Sequence, residues 1–307
     1  MYKLLLSITV CAAIALAIGG FRRPTLPVAQ STSVRTSRLS TVLQSGTPTH
    51  PQSDVLTQPT VLRSSDVIKQ PTVFRSSDIV SQPQPSSGPG FAVVELFTSE
   101  GCSSCPAADE TLARVAREYP ENVYVLGFHV DYWDRLGWKD VYSSADYTNR
   151  QREYAQQFSL NSIYTPEVVV NGRVEFVGSD ETRLRSAIKD GIAATPGGQL
   201  TLTAKSEDGR NVKVSYSLTG PARSSLQLAL VQSQATSQVL RGENQGRKLQ
   251  HVNVVRAFQS IQLKSGSSGV ANLKLPAGLL AKDCRVVGFL QDGEDRKILR
   301  AARTEIL

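Results

Sequence analysis

Two cysteines three positions apart, Cys102-Ser103-Ser104-Cys105, followed by Pro106, are the residues of this chain best suited to covalent chemistry. That spacing puts both sulfurs on a first helical turn, close enough to join as a small disulfide ring. Unpaired amide N–H groups and the positive end of the helix lower the pKa of a thiolate placed there, making it a nucleophile near neutral pH. Cys102, at the loop edge, is expected to be the exposed, attacking sulfur. Cys105, one turn further in, is expected to be the buried, resolving one. The uncharged Ser-Ser pair tunes the redox potential without disclosing its direction. A CxxC is also half of a zinc site, but the matching half is missing. Beyond the N-terminal segment the further cysteine is Cys284, and the histidines are His50, His129 and His251. Copper would want Met or His beside the thiolates; the one Met is Met1, which leaves His129 as helper. A purely structural disulfide is a weaker reading, because so small a ring removes little unfolded-chain entropy. No metal and no cofactor are expected.

The elements that must position this pair read from periodicity. Phe91–Phe97 is a short apolar, β-branched run, a buried strand. After the CxxC, Leu112, Val115, Ala116 and Tyr119 share one helical face, with Asp109 and Glu110 early in the helix. Pro106 falls near its first turn, where a missing N–H costs least. Asn122–Val130 is a second buried strand, giving a right-handed βαβ unit. A helix over about 144–158 presents Tyr147, Gln151, Tyr154 and Phe158. Then Thr165-Pro166 precedes the strand Glu167–Val170, Asn171-Gly172 marks a hairpin turn, and Arg173–Val177 returns. Ser179 or Asp180 caps a last helix with Leu184, Ala187 and Ile188 inward. The order β-α-β-α-β-β-α is that of the thioredoxin fold, where a cis proline before the third strand faces the CxxC and its neighbour pairs with an extended substrate peptide. Thr165-Pro166 stands at that place.

Three other features are candidates. Between Asp131 and Ser143 stand Tyr132, Trp133, Trp138 and Tyr142, a substrate lip beside the CxxC or a cap on the core. Glu95 interrupts an apolar strand and either shuttles the Cys105 proton or faces solvent or an arginine. His129 is a supporting residue or a satisfied strand-edge histidine.

These motifs carry a family resemblance. Glu95-Leu-Phe-Thr-Ser-Glu-Gly-Cys-Ser-Ser-Cys-Pro106, Phe128-His-Val-Asp-Tyr-Trp-Asp134, Leu136-Gly-Trp138, Tyr164-Thr-Pro166, Val170-Asn-Gly172 and Val287-Gly-Phe-Leu-Gln-Asp292 resemble a bacterial family of secreted thioredoxin-like proteins, domain of unknown function 1223. The resemblance covers about 91–307. It implies the fold and a thiol–disulfide role with no established substrate. It places the catalytic pair on Cys102 and Cys105 and the cis proline on Pro166.

Residues 198–307 show about eight short alternating runs separated by turn signals such as Asp208-Gly209 and Asp292-Gly293, the pattern of an antiparallel β-sandwich. No catalytic constellation is visible there. Cys284 is a buried small hydrophobe or a third thiol relaying the disulfide. The expected architecture is therefore an α/β thioredoxin-like domain over 91–197 followed by an all-β sandwich-like domain.

Upstream, Lys3 and the largely apolar run Leu4–Gly20 form residues 1–21, a signal peptide with small-x-small cleavage positions at Ala13, Ala15 and Ala17. Arg22, Arg23, Arg35 and Arg38 follow the run, the opposite of the usual export bias, so a membrane anchor is the other reading. Residues 22–90 are a Ser/Thr/Gln/Pro-rich spacer, expected to be disordered, in which Gln58–Lys69 repeats as Gln70–Ser81. Export suits disulfide chemistry, in the periplasm or outside the cell, with protein or small-molecule thiols and disulfides, or a redox partner protein, as partners.

The whole chain has 307 residues, 40% hydrophobic and 20% charged, with net charge +7. That excludes a coiled coil, collagen, a disulfide-dense mini-protein and a polytopic membrane protein. The charge is uneven: eight Lys/Arg against three Asp/Glu over 1–90, ten against sixteen over 91–197, sixteen against eight over 198–307. The basic residues are scattered singly, so nucleic acid is not an expected partner. The expected function is an exported thiol–disulfide oxidoreductase. The alternatives are a copper- or zinc-binding protein using Cys102, Cys105 and His129, and a non-catalytic binding module.

Overall fold

The computed structural model describes residues 89–221, 223–263 and 267–307. The export segment, the spacer and its repeats lie outside the described residues. Strand β1 (Ala92–Thr98) is buried at every position, as its apolar run requires. It pairs in parallel with β2 (Val123–His129), from Ala92 against Val123 to Thr98 against His129. Helix α1 (Cys105–Glu118) makes the crossover, with Pro106 in its first turn. Alternation along β1 divides its side chains: Ala92, Val94 and Leu96 pack with Ala108, Leu112 and Val115 of α1. Val93 and Phe97 face the other way, toward Tyr147 and Tyr154 of α2 (Ala145–Gln157). The Ser144 hydroxyl caps α2 by accepting from the Asp146 N–H.

Strands β3 (Glu167–Val170) and β4 (Val174–Val177) form the hairpin, β3 antiparallel to β1. Asn171 and Gly172 both take positive φ, 51° and 63°, the conformation an Asn-Gly turn supplies. The Asn171 amide also accepts from the Val93 N–H and donates to the Phe91 carbonyl, so the turn is tied to β1. Asp180 caps α3 (Glu181–Ala193), whose Leu184 and Ile188 are buried.

The C-terminal third departs from expectation. Its strands are β5 (Gln199–Ser206), β6 (Asn211–Thr219), β7 (Ser225–Gln238), β8 (Lys248–Gln262), β9 (Ser268–Lys274), β10 (Cys284–Gln291) and β11 (Ile298–Glu305). Two of the eight short runs, about 249–255 and 260–263, merge into one long strand, β8. The long strands of this third do not form a sheet of their own. Instead β8 lies beside β2, with Gly127 opposite Val254, and the large sheet runs β11-β10-β7-β8-β2-β1-β3-β4. Strands β5, β6 and β9 form a second, three-stranded sheet. Its Leu202, Val212, Val214 and Leu273 cluster with Leu226, Leu228 and Leu230 of β7 and Val286 and Leu290 of β10. The opposite face of β7 and β10 sends Ala229, Val231, Val287 and Phe289 into the core under α2. A strand buried on both faces reads as a continuous apolar run, and Leu228–Val231 is one. The result is a mixed, sheet-dominated body with few helices.

Candidate active site

The cysteine pair sits where the sheet hands the chain to α1. After β1, the Cys102 N–H donates to the Ser99 carbonyl and the Cys105 N–H to the Cys102 carbonyl, winding the loop into the helix. Cys102 and Cys105 are joined as a disulfide, Cα atoms 5.5 Å apart. Cys105 is buried, as its position one turn in demands. Cys102 is buried too, at 1% exposure, although Ser103 and Ser104 are open to solvent. This corrects the expectation of an exposed attacking sulfur.

Its cover comes from two directions. The connection from β7 to β8 reaches over the loop. The Asn244 amide donates to the carbonyls of Glu100 and Cys102, at 2.9 and 2.8 Å. The Ser103 N–H donates to the Glu243 carboxylate at 2.9 Å. On another side stands Trp133, in the short 3-10 helix Asp131–Leu136. A side chain on Gly101 would begin 3.2 Å from the Trp133 Cβ, so the glycine lets Trp133 approach the loop. The Trp133 indole N–H donates to the Thr165 hydroxyl at 2.8 Å. The Thr165–Pro166 peptide is cis. A Cβ on Gly178 would lie 3.0 Å from the Ala108 Cβ and 3.3 Å from that of Pro166, which puts the proline ring beside the first turn of α1. Trp133 thus links the residue before Cys102 to Thr165, and Pro166 lies with Ala108 of α1 around Gly178. Trp138 joins through its indole N–H, which donates to Glu100 Oε2 at 2.7 Å.

Around the loop lies a buried charged cluster. Asp140 Oδ2 accepts from the Glu100 N–H at 2.9 Å and pairs with His129 Nδ1 at 2.6 Å. Burial pushes the Asp140 carboxyl up, but the His129 charge and the hydrogen bonds outweigh it, and the net direction is down. From β8, His251 places Nε2 3.5 Å from Glu100 Oε1 and Nδ1 3.6 Å from Asp109 Oδ2. These are charge contacts rather than tight hydrogen bonds. Burial alone would lower the His251 pKa; the two carboxylates overcome it and raise it to about 10. The His129 and His251 rings meet edge to face, centroids 4.8 Å apart. Tyr142 packs against both rings, while Tyr132 packs on the core.

Glu95 is elsewhere. Its β1 position faces α2, not α1. There its carboxylate takes a two-pronged ion pair from Arg150, at 2.5 and 3.0 Å, and a hydrogen bond from the Tyr154 hydroxyl at 2.5 Å. A proton shuttle to Cys105 is corrected by that orientation, and of the roles open to Glu95 the arginine pair is the one realised. On the same face, burial pushes the Glu167 carboxyl up to about 7, against a hydrogen bond from Gln151. Cys284 is buried in the cluster between the two sheets, and burial raises its thiol to about 11. Sequence reading missed Glu100, Asp140, Glu243, Asn244 and His251. The last three come from the segment where no constellation was visible, and strand pairing alone brings them to the cysteines.

The family described as "Protein of unknown function (DUF1223)" matches residues 93–291. A thioredoxin from Methanocaldococcus jannaschii is 30% identical over 86 residues, 28% of this chain and 78% of that protein. A crystal structure of an Agrobacterium tumefaciens protein superposes with a TM-score of 0.52 at 28% identity, covering 69% of this chain and 92% of that one.

Proposed function

We propose, because the chain belongs to the family described as protein of unknown function (DUF1223) and is related to thioredoxin, that it is a thiol–disulfide oxidoreductase exported from the cytoplasm. The observation that carries this reading is the disulfide-bonded Cys102–Cys105 pair at the start of α1, directly after a buried parallel strand. Strands β1 to β4 with α1 to α3 make the thioredoxin-like unit, and the C-terminal strands prolong its sheet. The reduced protein attacks a target disulfide with the Cys102 thiolate. A mixed disulfide forms and one target sulfur leaves as a thiolate. The Cys105 thiolate then attacks the Cys102 sulfur. That step releases the second target thiolate and regenerates the Cys102–Cys105 disulfide. The reverse sequence oxidises a dithiol, and the partner decides the direction. In this reading Thr165, Pro166 and the two tryptophans hold the substrate peptide. The N-terminal segment serves for export or as a membrane tether.

Insulin reduction, or oxidation of a dithiol peptide, tests the chemistry. Cys102→Ser is expected to abolish turnover, and Cys105→Ser to accumulate mixed disulfides that dithiothreitol releases. Undiminished turnover in Cys102→Ser would remove the catalytic assignment. Metal analysis of the reduced protein separates the metal-binding alternative: stoichiometric zinc or copper would favour it.

A further inference from the structure

The connection between β7 and β8 does something unusual at a thiol centre: it brings a carboxylate to the start of the helix that should favour a thiolate. The Ser103 N–H is the first amide after Cys102, and it points at Glu243 Oε2, 2.9 Å away. Glu243 is exposed, and hydrogen bonds from Ser103 hold its carboxyl below the usual range, so it carries its charge at neutral pH. The neighbouring Asn244 is fully buried, with both its amide hydrogens spent on the carbonyls of Glu100 and Cys102 and its oxygen accepting from Arg247 at 2.8 Å. The contact is therefore held by a rigid anchor, not by a wandering surface side chain. An anion bound to that amide competes for the donor and the dipole that would stabilise ionised sulfur.

Resting on the thiol–disulfide reading, we propose that Glu243 is a positioning residue that holds back ionisation of Cys102 and makes the pair a stronger reductant, with Asn244 as the clamp that keeps it in place. The other titratable or charged groups near the loop are Glu100 on the same loop, Asp109 on α1, His129 on β2, Asp140 after the 3-10 helix, and His251 and Arg247 from the β7–β8 region. All of them stay constant when Glu243 alone is changed. A dithiol whose thiolate is better stabilised is a weaker reductant. Freeing the Ser103 N–H should move the equilibrium toward the dithiol.

The test uses the full chain. The pH profile of Cys102 alkylation by iodoacetamide, read on the Cys102 peptide by mass spectrometry, is compared in the reduced protein, Glu243→Gln and Glu243→Asp. The dithiol–disulfide equilibrium of each is measured against glutathione. For Glu243→Gln the alkylation midpoint is expected to fall by about half to one pH unit, and the equilibrium to shift about three- to tenfold toward the dithiol, tenfold being about 30 mV. Both effects should shrink at ~1 M salt, because an exposed charge is screened. Glu243→Asp should return part of the wild-type behaviour. Asn244→Ala, which loosens the clamp without removing the charge, should move both quantities in the direction of Glu243→Gln. An unchanged midpoint in Glu243→Gln at low salt, or a uniform loss of rate at every pH, overturns the proposal, since a merely structural contact gives the second. Failure of the underlying reading looks different: wild type would not exchange with insulin or glutathione, while the Cys102 midpoint still moved in Glu243→Gln.

Discussion

His251 is a cation placed between two buried carboxylates, and its energetics decide how the site tolerates pH. Its pKa in the folded protein is about 10, against about 6.5 unfolded. Between those values the native state holds a proton that the unfolded chain releases, so stability falls as pH rises. The contribution is complete below pH 6.5 and gone once pH passes 10. At about 1.4 kcal/mol per pKa unit the ceiling is near 5 kcal/mol, and about 3 kcal/mol is a fair expectation for contacts of 3.5 and 3.6 Å. Urea midpoints of the oxidised protein should therefore drop steadily from pH 7 to pH 10. His251→Gln should be less stable at pH 7, because Glu100 and Asp109 are left buried without a counter-charge. Its midpoints should also be much flatter with pH. Parallel pH dependences in the two proteins would show that the imidazole is not the group responsible.

Helix α2 sends a buried cation against the sheet. Arg150 pairs with Glu95 on β1 and lies over the rings of Phe128 on β2, Phe258 on β8 and Phe289 on β10. Removing one partner of such a pair strands the other charge in the core, which costs about 3–5 kcal/mol. Arg150→Ala should lower the unfolding free energy, read from urea titration, by that amount. Arg150→Met with Glu95→Leu should recover most of it, because an apolar pair needs no desolvation. A double variant no better than Arg150→Ala would mean that the packing of the guanidinium on the rings dominates. The sequence announced the elements here but not the contact. Periodicity located β1, α1, β2 and α2, since alternation and the 3.6 repeat are local properties. It also placed the CxxC at a helix start, because Pro106 and the apolar face follow within a few positions. It left Glu95 open, for a carboxylate in an apolar strand does not name its partner 55 positions away. The burial of Cys102 is not local either: Asn244, which bonds its carbonyl, comes from the β7–β8 connection.

At the scale of the molecule the question is whether residues 89–197 form a body alone. Alternation in the C-terminal third revealed buried faces but not which strand edge those strands would meet. β2, buried on both faces, needs a neighbour on each side, and β8 supplies the second. The core under α2 is consequently shared. Phe97, Phe128, Tyr147 and Tyr154 come from the first part, and Val231, Val255, Phe289 and Ile298 from the second. Cross-links add to it: the Tyr147 hydroxyl donates to the Val255 carbonyl, the Ile298 N–H to the Asn171 carbonyl, and Asn244 to the CxxC loop. Each large apolar side chain returned to water forfeits about 1.5–3 kcal/mol, and a domain has only about 5–15 kcal/mol in hand. Four such side chains are enough to exhaust it. Residues 89–197 expressed alone should therefore show shallow, non-cooperative urea unfolding and weak near-UV circular dichroism, whereas 89–307 should unfold in one sharp transition. A sharp transition with native-like aromatic signals from 89–197 would make the C-terminal strands an appendage, and the reach of Glu243 and Asn244 over the cysteines a secondary contact.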